Sequence, residues 1–505
     1  MGEGKRFFKS GILLTLVGLA MRTVGMLFAA FISRTVGAEG VGIYTLVMTV
    51  YSFAVTLATS GISLTVTRLV ASAIGEGREG QLGNILKASF LYSLFFGILA
   101  SVGLYFFSDL IGGALLSDAR TVSSLRVLSL SLLPAALSSA LSGYFVGVKR
   151  VGFNAAVTVF CQLVKILLTV GLVIYLLPRG TVSAVVGLCI GITLTEMLGF
   201  VLIFFEFLYD WRKNGKKAEK YRGSLSAVCT TALPLAFSAY VRSLLLNVEH
   251  ILIPRKLRDI GESDSEAYAH YGTLHGMALP VVVYPMAPLS SFSGLLVPEF
   301  AADMAAGRRD RMNNIASRAL NATLSYAVIS AVFLFAFAEE LGYLLYDSYD
   351  AGYYISTLAV VVPIMYLDHV TDSILKGIGE QVFSMWVNIT DSLLSVALVW
   401  LLIPRMGIMG YAVVIVIMEG YNFLLSFLRL RHKIRFTLHP LRSLILPLAT
   451  SLFSAYLCRT AFNFCGSTTT PLWLVMKMLF ALSITVAILA IFNAKRELYH
   501  TKIKA

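Results

Sequence analysis

Long apolar runs, separated by short charged or glycine-containing stretches, recur from one end of the chain to the other. A helix that crosses a bilayer needs about 20 mainly apolar residues. Runs of that length predict fourteen membrane spans, so the predicted fold class is an all-α integral membrane protein. The predicted spans are residues 11–32, 42–67, 88–108, 125–147, 152–177, 182–208, 227–253, 270–298, 315–338, 354–377, 382–403, 408–428, 443–462 and 472–492.

The composition and the distribution of charge agree with this pattern. Of the 505 residues, 57% are hydrophobic and 14% are charged, whereas about 25% are charged in a typical soluble protein. With a cytoplasmic N-terminus, 27 of the 41 lysines and arginines fall on the inner side and eight on the outer side. This bias follows the positive-inside rule, so the net charge of +13 does not call for a nucleic-acid partner. We predict a multi-pass protein of the cell membrane with both termini in the cytoplasm.

The sequence also contains an internal repeat. The stretch "GEGREGQLGNILKAS" (75–89) aligns with "MAAGRRDRMNNIASRA" (304–319), and Gly77 and Gly147 then match Gly307 and Gly377. Each copy holds six predicted spans, so the copies are parallel, an arrangement typical of transporters that bind their substrate between two lobes. The predicted domains are an N-lobe (1–210), a basic cytoplasmic linker (211–226), a C-lobe (227–430), and two additional spans with a basic tail (431–505).

Three arginines lie within or at the end of predicted spans. Arg22 is in "GLAMRTVGMLF", Arg242 is in "AYVRSLLLNVEH", and Arg68 ends the second span. A buried arginine costs at least about 3 kcal/mol in a membrane, so it must face an aqueous cavity or a partner. Guanidinium groups bind phosphate bidentately, and these three residues therefore predict a binding site for an anion such as pyrophosphate. The alternative is an arginine paired with a carboxylate for packing alone.

Other polar residues in the spans have a functional and a structural interpretation. Glu249 and His250 follow Arg242, and Glu196 and Glu419 are single acids that match each other in the repeat. Lys165 shares a polar helix face with Asn154, Thr158, Gln162 and Thr169, and Asp391 lies on the corresponding face of the second copy. These groups bind Na⁺ or H⁺, or they hold helices together. Hydroxyls also line the second span and either face a cavity or bond to their own helix: Thr45, Thr49, Ser52, Thr56, Thr59, Ser63 and Thr67.

The eighth predicted span is rich in proline. Each interior proline removes a backbone hydrogen bond and kinks the helix. Pro280, Pro285 and Pro288 therefore predict a hinge in a helix that lines the cavity. Asp372 and Lys376, in the tenth span, predict an ordinary ion pair at i, i+4.

The cysteines, one glycine-rich stretch and the predicted outer loops bear on whether the chain has a metal site or an enzymatic activity. The five cysteines show no CxxC spacing, so neither a disulfide framework nor a metal site is predicted. "GEGREG" matches a dinucleotide-binding pattern, but its charged flanks between membrane helices favour a cytoplasmic turn. An enzyme that uses a lipid-linked donor needs a long outer loop, and the predicted outer loop at residues 254–269 is short. We predict no enzymatic activity and no cofactor beyond Na⁺ or H⁺ coupling.

The opening of the chain resembles polysaccharide flippases of the multidrug/oligosaccharidyl-lipid/polysaccharide exporter superfamily. The segments "ISRTVGAEGVGIY" and "GISLTVTRLVA" carry the resemblance, which is closest to the stage V sporulation protein B group. That group resembles the lipid II flippases of peptidoglycan synthesis. The resemblance implies V-shaped alternating access for an undecaprenyl-pyrophosphate-linked sugar, with Arg22, Arg68 and Arg242 contacting the head group and spans thirteen and fourteen binding the prenyl tail.

The expected function is a flippase that moves a lipid II-like cell-wall precursor from the inner to the outer leaflet. The expected partners are this lipid-linked glycan, membrane lipids, and proteins of cell-wall synthesis, division or sporulation. The alternatives are an ion-coupled multidrug exporter of the same superfamily and a flippase for another lipid-linked polysaccharide unit. An exporter of cationic drugs predicts twelve spans and a cavity dominated by acidic residues.

Overall fold

A computed structural model describes the backbone of residues 2–59, 61–116, 118–148, 150–214, 224–464 and 471–504. Within these ranges the chain forms α-helices joined by short turns and contains no β-strand. The α-helices are α1 (Gly2–Thr59), α2 (Ile62–Gly75), α3 (Leu82–Phe106), α4 (Ser108–Leu110), α5 (Val122–Gly147), α6 (Val151–Leu176), α7 (Thr181–Asn214), α8 (Ser224–Asp259), α9 (Asp264–Tyr271), α10 (Leu279–Val283), α11 (Ala287–Ala305), α12 (Arg309–Ala336), α13 (Ala338–Tyr346), α14 (Tyr349–Ala359), α15 (Val362–Gly377), α16 (Gln381–Met406), α17 (Ile408–Lys433), α18 (Leu446–Phe464) and α19 (Pro471–Lys504).

The first two predicted spans lie in one long helix, α1, whose backbone breaks at Gly37 (φ 77°, ψ 173°). The second of them continues past Gly61 (φ 68°) into α2. Among the described residues, eleven helices are long and apolar enough to cross a membrane, or twelve if the bent pair Tyr349–Ala359 and Val362–Gly377 forms one span. The all-α membrane architecture is therefore confirmed, and the number fourteen stays a prediction.

The segment predicted as an outer loop, residues 254–269, is mostly helical, and its position on the outer side stays a prediction. α8 continues to Asp259, and after a short turn α9 begins at Asp264. A capping box starts α9, because Ser263 Oγ accepts the N–H of Glu266 and the Glu266 carboxylate accepts the N–H of Ser263. The acidic residues that suggested a loop are those that favour the first turn of a helix.

The chain divides into two compact units. The first unit is Val36–Gly272, and the second unit combines Met1–Thr35 with Thr273–Ala505. The first unit thus contains α8, which carries the seventh predicted span, and the second unit contains the beginning of α1. The predicted lobe limits, drawn from the repeat in the sequence, stay a prediction.

The internal repeat is visible in the local geometry of the matched turns. Gly77 (φ 72°) and Gly307 (φ 66°) both adopt the left-handed conformation that favours glycine. In each turn the N–H of the arginine that follows donates to the carbonyl five residues before it, at 2.8 Å in the first copy and 2.9 Å in the second. The predicted match between these segments therefore holds at the level of individual hydrogen bonds.

Two matched glycines also mark equivalent helix crossings. A Cβ on Gly147 would lie 2.8 Å from Val70 Cγ1, and a Cβ on Gly377 would lie 2.8 Å from Phe300 Cβ. Val70 and Phe300 are separated by the same 230 positions as the two glycines. The pair α2–α5 and the pair α11–α15 therefore pack through the same residues of the repeat, in a hydrophobic core that each unit builds for itself.

Matched ion pairs at the ends of these cores have opposite polarity. In the first unit Arg150 binds Asp210, whereas in the second unit Glu380 binds Lys433 (Nζ–Oε1, 2.7 Å) and Arg429 (Nη2–Oε2, 2.7 Å). Arg150 matches Glu380 in the repeat, and Asp210 matches Lys433 when the sixth and twelfth predicted spans are aligned. Lys433 and then Arg429 hold the pKa of the Glu380 carboxyl below its ordinary value by hydrogen bonding to its charged form.

Substituting Glu380 by glutamine is expected to destabilise the protein in a pH-dependent manner. Because the folded-state pKa is depressed, the ionised carboxylate stabilises the fold above its unfolded pKa of about 4.3, and that contribution is lost as pH falls through the folded value. We expect a loss of about 1 kcal/mol at pH 7 that vanishes in acid. Thermal unfolding of the purified protein across this pH range measures it. Glu339→Gln, at an exposed residue, is the control, and an equal loss at every pH would contradict the prediction.

The connection after α17 is fixed to α12 by a row of side chains. Residues 435–439 have no regular secondary structure and follow Ile434, whose backbone is extended (φ −130°, ψ 137°). Their alternate N–H groups donate to three polar groups spaced by four residues on α12. Four helical residues rise about 6 Å, close to the 6.4–6.8 Å of two extended residues, so the two periods match. The hydrogen bonds are Arg435 N to Asn313 Oδ1 (3.0 Å), Thr437 N to Ser317 Oγ (3.0 Å) and His439 N to Asn321 Oδ1 (2.8 Å).

Asn321 is the principal residue of this row. Its Nδ2 donates to the Thr437 carbonyl at 2.8 Å, and its Oδ1 also accepts from Ser443 Oγ at 2.7 Å. Asn321→Ala leaves these groups unpaired and is expected to lower the free energy of unfolding by about 2 kcal/mol. Thermal unfolding in detergent measures the effect, and Asn314→Ala, at an exposed asparagine of the same helix, is the matched control. Equal stability of the two variants would show that the row does not hold the connection.

Candidate functional site

Two of the three predicted binding arginines lie on the surface of the first unit. Arg68 is on α2 and Arg242 is on α8, two helices that pack together, and both side chains are exposed. Neither makes a salt bridge within the described part of the chain. The interpretation that they are neutralised by carboxylates for packing is therefore not supported for these two residues. The side chain of Arg22 lies outside the described side chains.

The polar residues that follow Arg242 point to a more structural role. Glu249 is buried, and Tyr271 Oη lies within hydrogen-bond distance of His250 Nδ1 (3.2 Å). Asn247 Nδ2 donates to the Ser243 carbonyl at 2.7 Å. The structural interpretation of His250, as a packing residue with a satisfied ring nitrogen, agrees with this contact.

The hydroxyl row of the second predicted span bonds to its own helix. Six of the seven hydroxyls donate to a carbonyl three or four residues earlier, which is the alternative left open by the sequence. Thr67 donates in addition to the Gly143 carbonyl on α5 at 3.0 Å. The helix-bonded hydroxyls are those of Thr45, Thr49, Ser52, Thr56, Thr59 and Thr67.

A polar cavity of about 330 Å³ lies within the first unit, between α5, α6 and α7. Lys165 and Glu196 both line it, and each is within electrostatic range of the other. The predicted polar face of α6 is thus partly correct, since Thr158 and Gln162 also line the cavity while Asn154 is outside the described side chains. Three serines of α5 also line the cavity and were not predicted, although the stretch "SSALSGY" could have indicated them: Ser138, Ser139 and Ser142.

The matching positions of the second unit carry an acidic group. Glu419 on α17 is within electrostatic range of Asp368 on α15 and Asp391 on α16. In the repeat Glu196 matches Glu419, and Lys165 matches Asp391. The first copy therefore places a lysine beside its glutamate, whereas the second copy places another acid beside the matching glutamate. Among the described residues, no three His, Cys, Asp or Glu side chains are close enough to form a metal site.

The proline-rich segment changes its type of helix at each predicted hinge residue. A π-helical stretch runs from Gly272 to Ala278, Pro280 is the second residue of α10, Pro285 lies in a 3₁₀ turn, and Pro288 is the second residue of α11. The irregular backbone thus coincides with the prolines that predict the hinge.

Tyrosine hydroxyls satisfy the carbonyls that this irregular backbone exposes. Tyr366 Oη donates to the Val282 carbonyl at 2.9 Å, and Tyr326 Oη donates to the Pro285 carbonyl at 2.7 Å. These two tyrosines were not identified from the sequence, because only tertiary structure brings them to the prolines. Such partners are what permits non-helical backbone inside a membrane protein.

Comparison with known proteins identifies the family to which this all-helical chain belongs. The sequence profile described as "Polysaccharide biosynthesis protein" matches residues 7–304. The chain belongs to this family. A second profile, MatE, matches residues 275–401. The resemblance to the exporter superfamily and its stage V sporulation protein B group is thereby confirmed.

The most similar proteins include one relative and two solved structures. The chain is 26% identical over 423 residues to stage V sporulation protein B of Bacillus subtilis (strain 168), covering 81% of this chain and 80% of that protein. Its fold is similar to a lipid II flippase MurJ in an inward closed conformation (TM-score 0.74, 14% identity, 96% and 100% of the two chains). It is also similar to an inward-facing multidrug resistance MATE family transporter of the MOP superfamily (TM-score 0.65, 16% identity, 83% and 98%).

These relationships define the general class of the protein. It is a multi-pass membrane protein of the MOP superfamily, a flippase or transporter related to lipid II flippases. The matched solved structures are flippases and transporters rather than catalytic enzymes. The exposed arginines and the charged cavity of the first unit, together with the acidic group of the second unit, are the candidate sites of this transporter.

Proposed function

We propose that the protein is a flippase that moves an undecaprenyl-pyrophosphate-linked cell-wall precursor, similar to lipid II, from the inner to the outer leaflet by alternating access. The observation that carries the proposal is the pair of exposed arginines, Arg68 and Arg242, on apolar helices without a salt bridge among the described residues. In a membrane such cations need water or an anionic ligand. A pyrophosphate supplies several oxygens for bidentate contacts, whereas a cationic drug is repelled.

The role of Arg22 in binding the same pyrophosphate stays a prediction. The similarity to stage V sporulation protein B, at 26% identity, and the relation to lipid II flippases support a lipid-linked glycan as the substrate. We propose the cell membrane as the location, with cytoplasmic termini, and proteins of cell-wall synthesis or sporulation as partners. The apolar surfaces of α18 and α19 are proposed to contact the prenyl tail.

The charged cavities suggest where transport is coupled to a cation. In the first unit the ammonium of Lys165 lies in electrostatic range of Glu196, so this copy carries its own counter-charge. In the second unit Glu419 faces Asp368 and Asp391 instead, and several carboxylates in a low-dielectric site require a proton or a cation. We propose that Na⁺ or H⁺ binds this acidic group, and H⁺ is favoured because no three of the described acidic side chains are arranged to hold a metal ion.

The proline-rich segment is proposed to bend during the cycle. Pro280, Pro285 and Pro288 already interrupt its regular helix, and hydrogen bonds from Tyr326 and Tyr366 fix the exposed carbonyls. An inside-negative potential favours outward movement of an anionic substrate by about 2.3 kcal/mol per charge per 100 mV. The cation in the second unit is proposed to complete the cycle.

Reconstitution into vesicles tests the proposal. Vesicles that contain the purified protein and a fluorescent undecaprenyl-pyrophosphate-linked glycan report movement between leaflets through quenching by a membrane-impermeant reductant. Flipping that requires the protein and responds to an imposed Na⁺ or H⁺ gradient supports the function. Failure to move this lipid, together with protein-dependent efflux of a cationic dye, would favour the multidrug exporter. Selective movement of a different lipid-linked saccharide would retain the flippase and change its substrate.

A further inference from the structure

A cavity of about 570 Å³ lies at one end of the second unit, apart from the arginines and acids discussed above. Three connections meet there: the turn before α12, the turn between α15 and α16, and the segment that follows α17. Arg309 lines the cavity from the first turn of α12, and His432, Lys433 and Arg435 line it from the end of α17 and beyond. All of these residues belong to one compact unit.

Two of the four basic side chains are available to a ligand. Lys433 forms a salt bridge with Glu380, which also lines the cavity and forms a second salt bridge with Arg429. Arg309 and Arg435 are exposed and make no salt bridge within the described ranges. The Glu380 carboxylate is already neutralised, and Asp310 is the second acidic residue that lines the cavity. Arg309 and Arg435 together outweigh this one remaining negative charge, so the lining favours an anion.

The wall of the cavity is held in place before any ligand binds. The backbone N–H of Arg435 donates to Asn313 Oδ1 at 3.0 Å, and Asn313 itself lines the cavity. The segment that carries Arg435 is fixed further along by Asn321. A preorganised wall reduces the entropy lost when a ligand is bound.

The two copies of the repeat differ in charge at one arginine of this cavity. The residue that matches Arg309 in the first copy is Glu79, whereas Arg435 matches Arg212 when the sixth and twelfth predicted spans are aligned. The pair of Lys433 and Glu380 matches Asp210 and Arg150, the same ion pair with reversed polarity, so it adds no net charge to either copy. Both copies form the same glycine turn and the same helix crossing, so the turn itself does not require Arg309.

We propose that this cavity binds a phosphate group, that of an anionic phospholipid of the inner leaflet. Arginine pairs match phosphate geometry, and basic cavities between membrane helices on the cytoplasmic side bind anionic head groups. The choice of leaflet rests on the proposed orientation, whereas binding itself does not depend on the transported substrate.

Lipid titration of the purified full chain tests the inference. The midpoint of thermal unfolding is followed in detergent as phosphatidylglycerol or phosphatidylcholine is added, since a ligand that binds the folded state raises it. Phosphatidylglycerol is expected to stabilise the protein and phosphatidylcholine is not. Arg309→Gln with Arg435→Gln is expected to weaken the apparent affinity for phosphatidylglycerol by about tenfold or more.

The matched control is Arg318→Gln with Arg431→Gln, which removes the same charge from exposed positions nearby, outside the cavity. The affinity of this control variant for phosphatidylglycerol is expected to be unchanged. An equal loss of affinity in both double variants would overturn the inference.

If inorganic phosphate reproduces the stabilisation and its sensitivity to Arg309 and Arg435, the ligand is a soluble phosphate and the assignment to a lipid is wrong. Arg309→Lys with Arg435→Lys keeps the charge and is expected to retain binding even if the glutamine variant folds poorly. Because no step measures transport, failure here leaves the proposed flippase unaffected.

Discussion

Replacing Arg68 and Arg242 together by glutamine is expected to reduce flipping of a pyrophosphate-linked substrate by about 100-fold. Each guanidinium is proposed to make charge-assisted hydrogen bonds to the pyrophosphate, and each contributes at least about 1.5 kcal/mol. Two such losses amount to about 3 kcal/mol, a factor of about 100 in affinity. The protein itself is expected to fold, because both side chains are exposed and form no salt bridge among the described residues.

The measurement is the leaflet-exchange assay in vesicles, with initial rates taken over a range of substrate concentrations. Lys87→Gln is the control, because Lys87 is an exposed cation of the same unit on the predicted inner side. If both variants retain the wild-type rate, or lose it equally, the arginines are not the binding groups. Single lysine substitutions at Arg68 and Arg242 separate charge from geometry, since lysine keeps the charge but cannot form the bidentate contact.

The sequence predicts those features that depend on short-range pattern. The apolar runs predict the membrane helices, and the match of Gly77 with Gly307 predicts two turns with the same backbone conformation. The i, i+4 spacing of Asp372 and Lys376 predicts their ion pair, which forms at 2.5 Å. The ion pair is predictable because its two residues are close in the sequence. The turns are predictable because both copies of the repeat carry the same glycine.

Features that depend on contacts between distant segments are not predicted. Nothing local shows that Tyr366 satisfies the Val282 carbonyl, or that Asn321 accepts the N–H of His439. The segment expected to be a loop at residues 254–269 is a different case: it is mostly helical, because its acidic residues cap a helix. The candidate arginines were predicted from the cost of charge in lipid, but the exposure of Arg68 and Arg242, and the absence of a salt bridge to either within the described residues, required the structure.

The exchange of Lys165 for Asp391 between the two copies shows how one repeated framework supports two kinds of charge site. The framework is kept, as the equivalent crossings of Gly147 and Gly377 demonstrate. Lys165 supplies a counter-charge for Glu196, whereas the acids around Glu419 are proposed to take up a mobile cation. A cation can therefore act as a coupling ion only in the copy that lacks its own, which is the physical basis for the coupling proposed above.

Gly42→Ala is expected to destabilise the first unit more than any other single methyl addition considered. A Cβ on residue 42 would lie 2.0 Å from the carbonyl oxygen of Tyr268 and 2.7 Å from its carbonyl carbon. Both atoms are backbone, so no side-chain rotation relieves the overlap, and α1 must move away from α9. Gly272 faces the same contact, because a Cβ there would lie 2.5 Å from the Gly42 nitrogen.

We expect a loss of about 3 kcal/mol, at the upper end for overpacking of a core, seen as a lower unfolding midpoint and less folded protein after extraction. Gly171→Ala is the matched control: it adds the same methyl group to α6 of the same unit, where nothing lies within 4 Å of the new atom. Alanine favours helix by up to about 1 kcal/mol over glycine, so this variant should be unchanged or more stable. Wild-type stability of Gly42→Ala would mean that α1 and α9 do not approach this closely in the membrane, and the packing of the first unit described here would be wrong at that point.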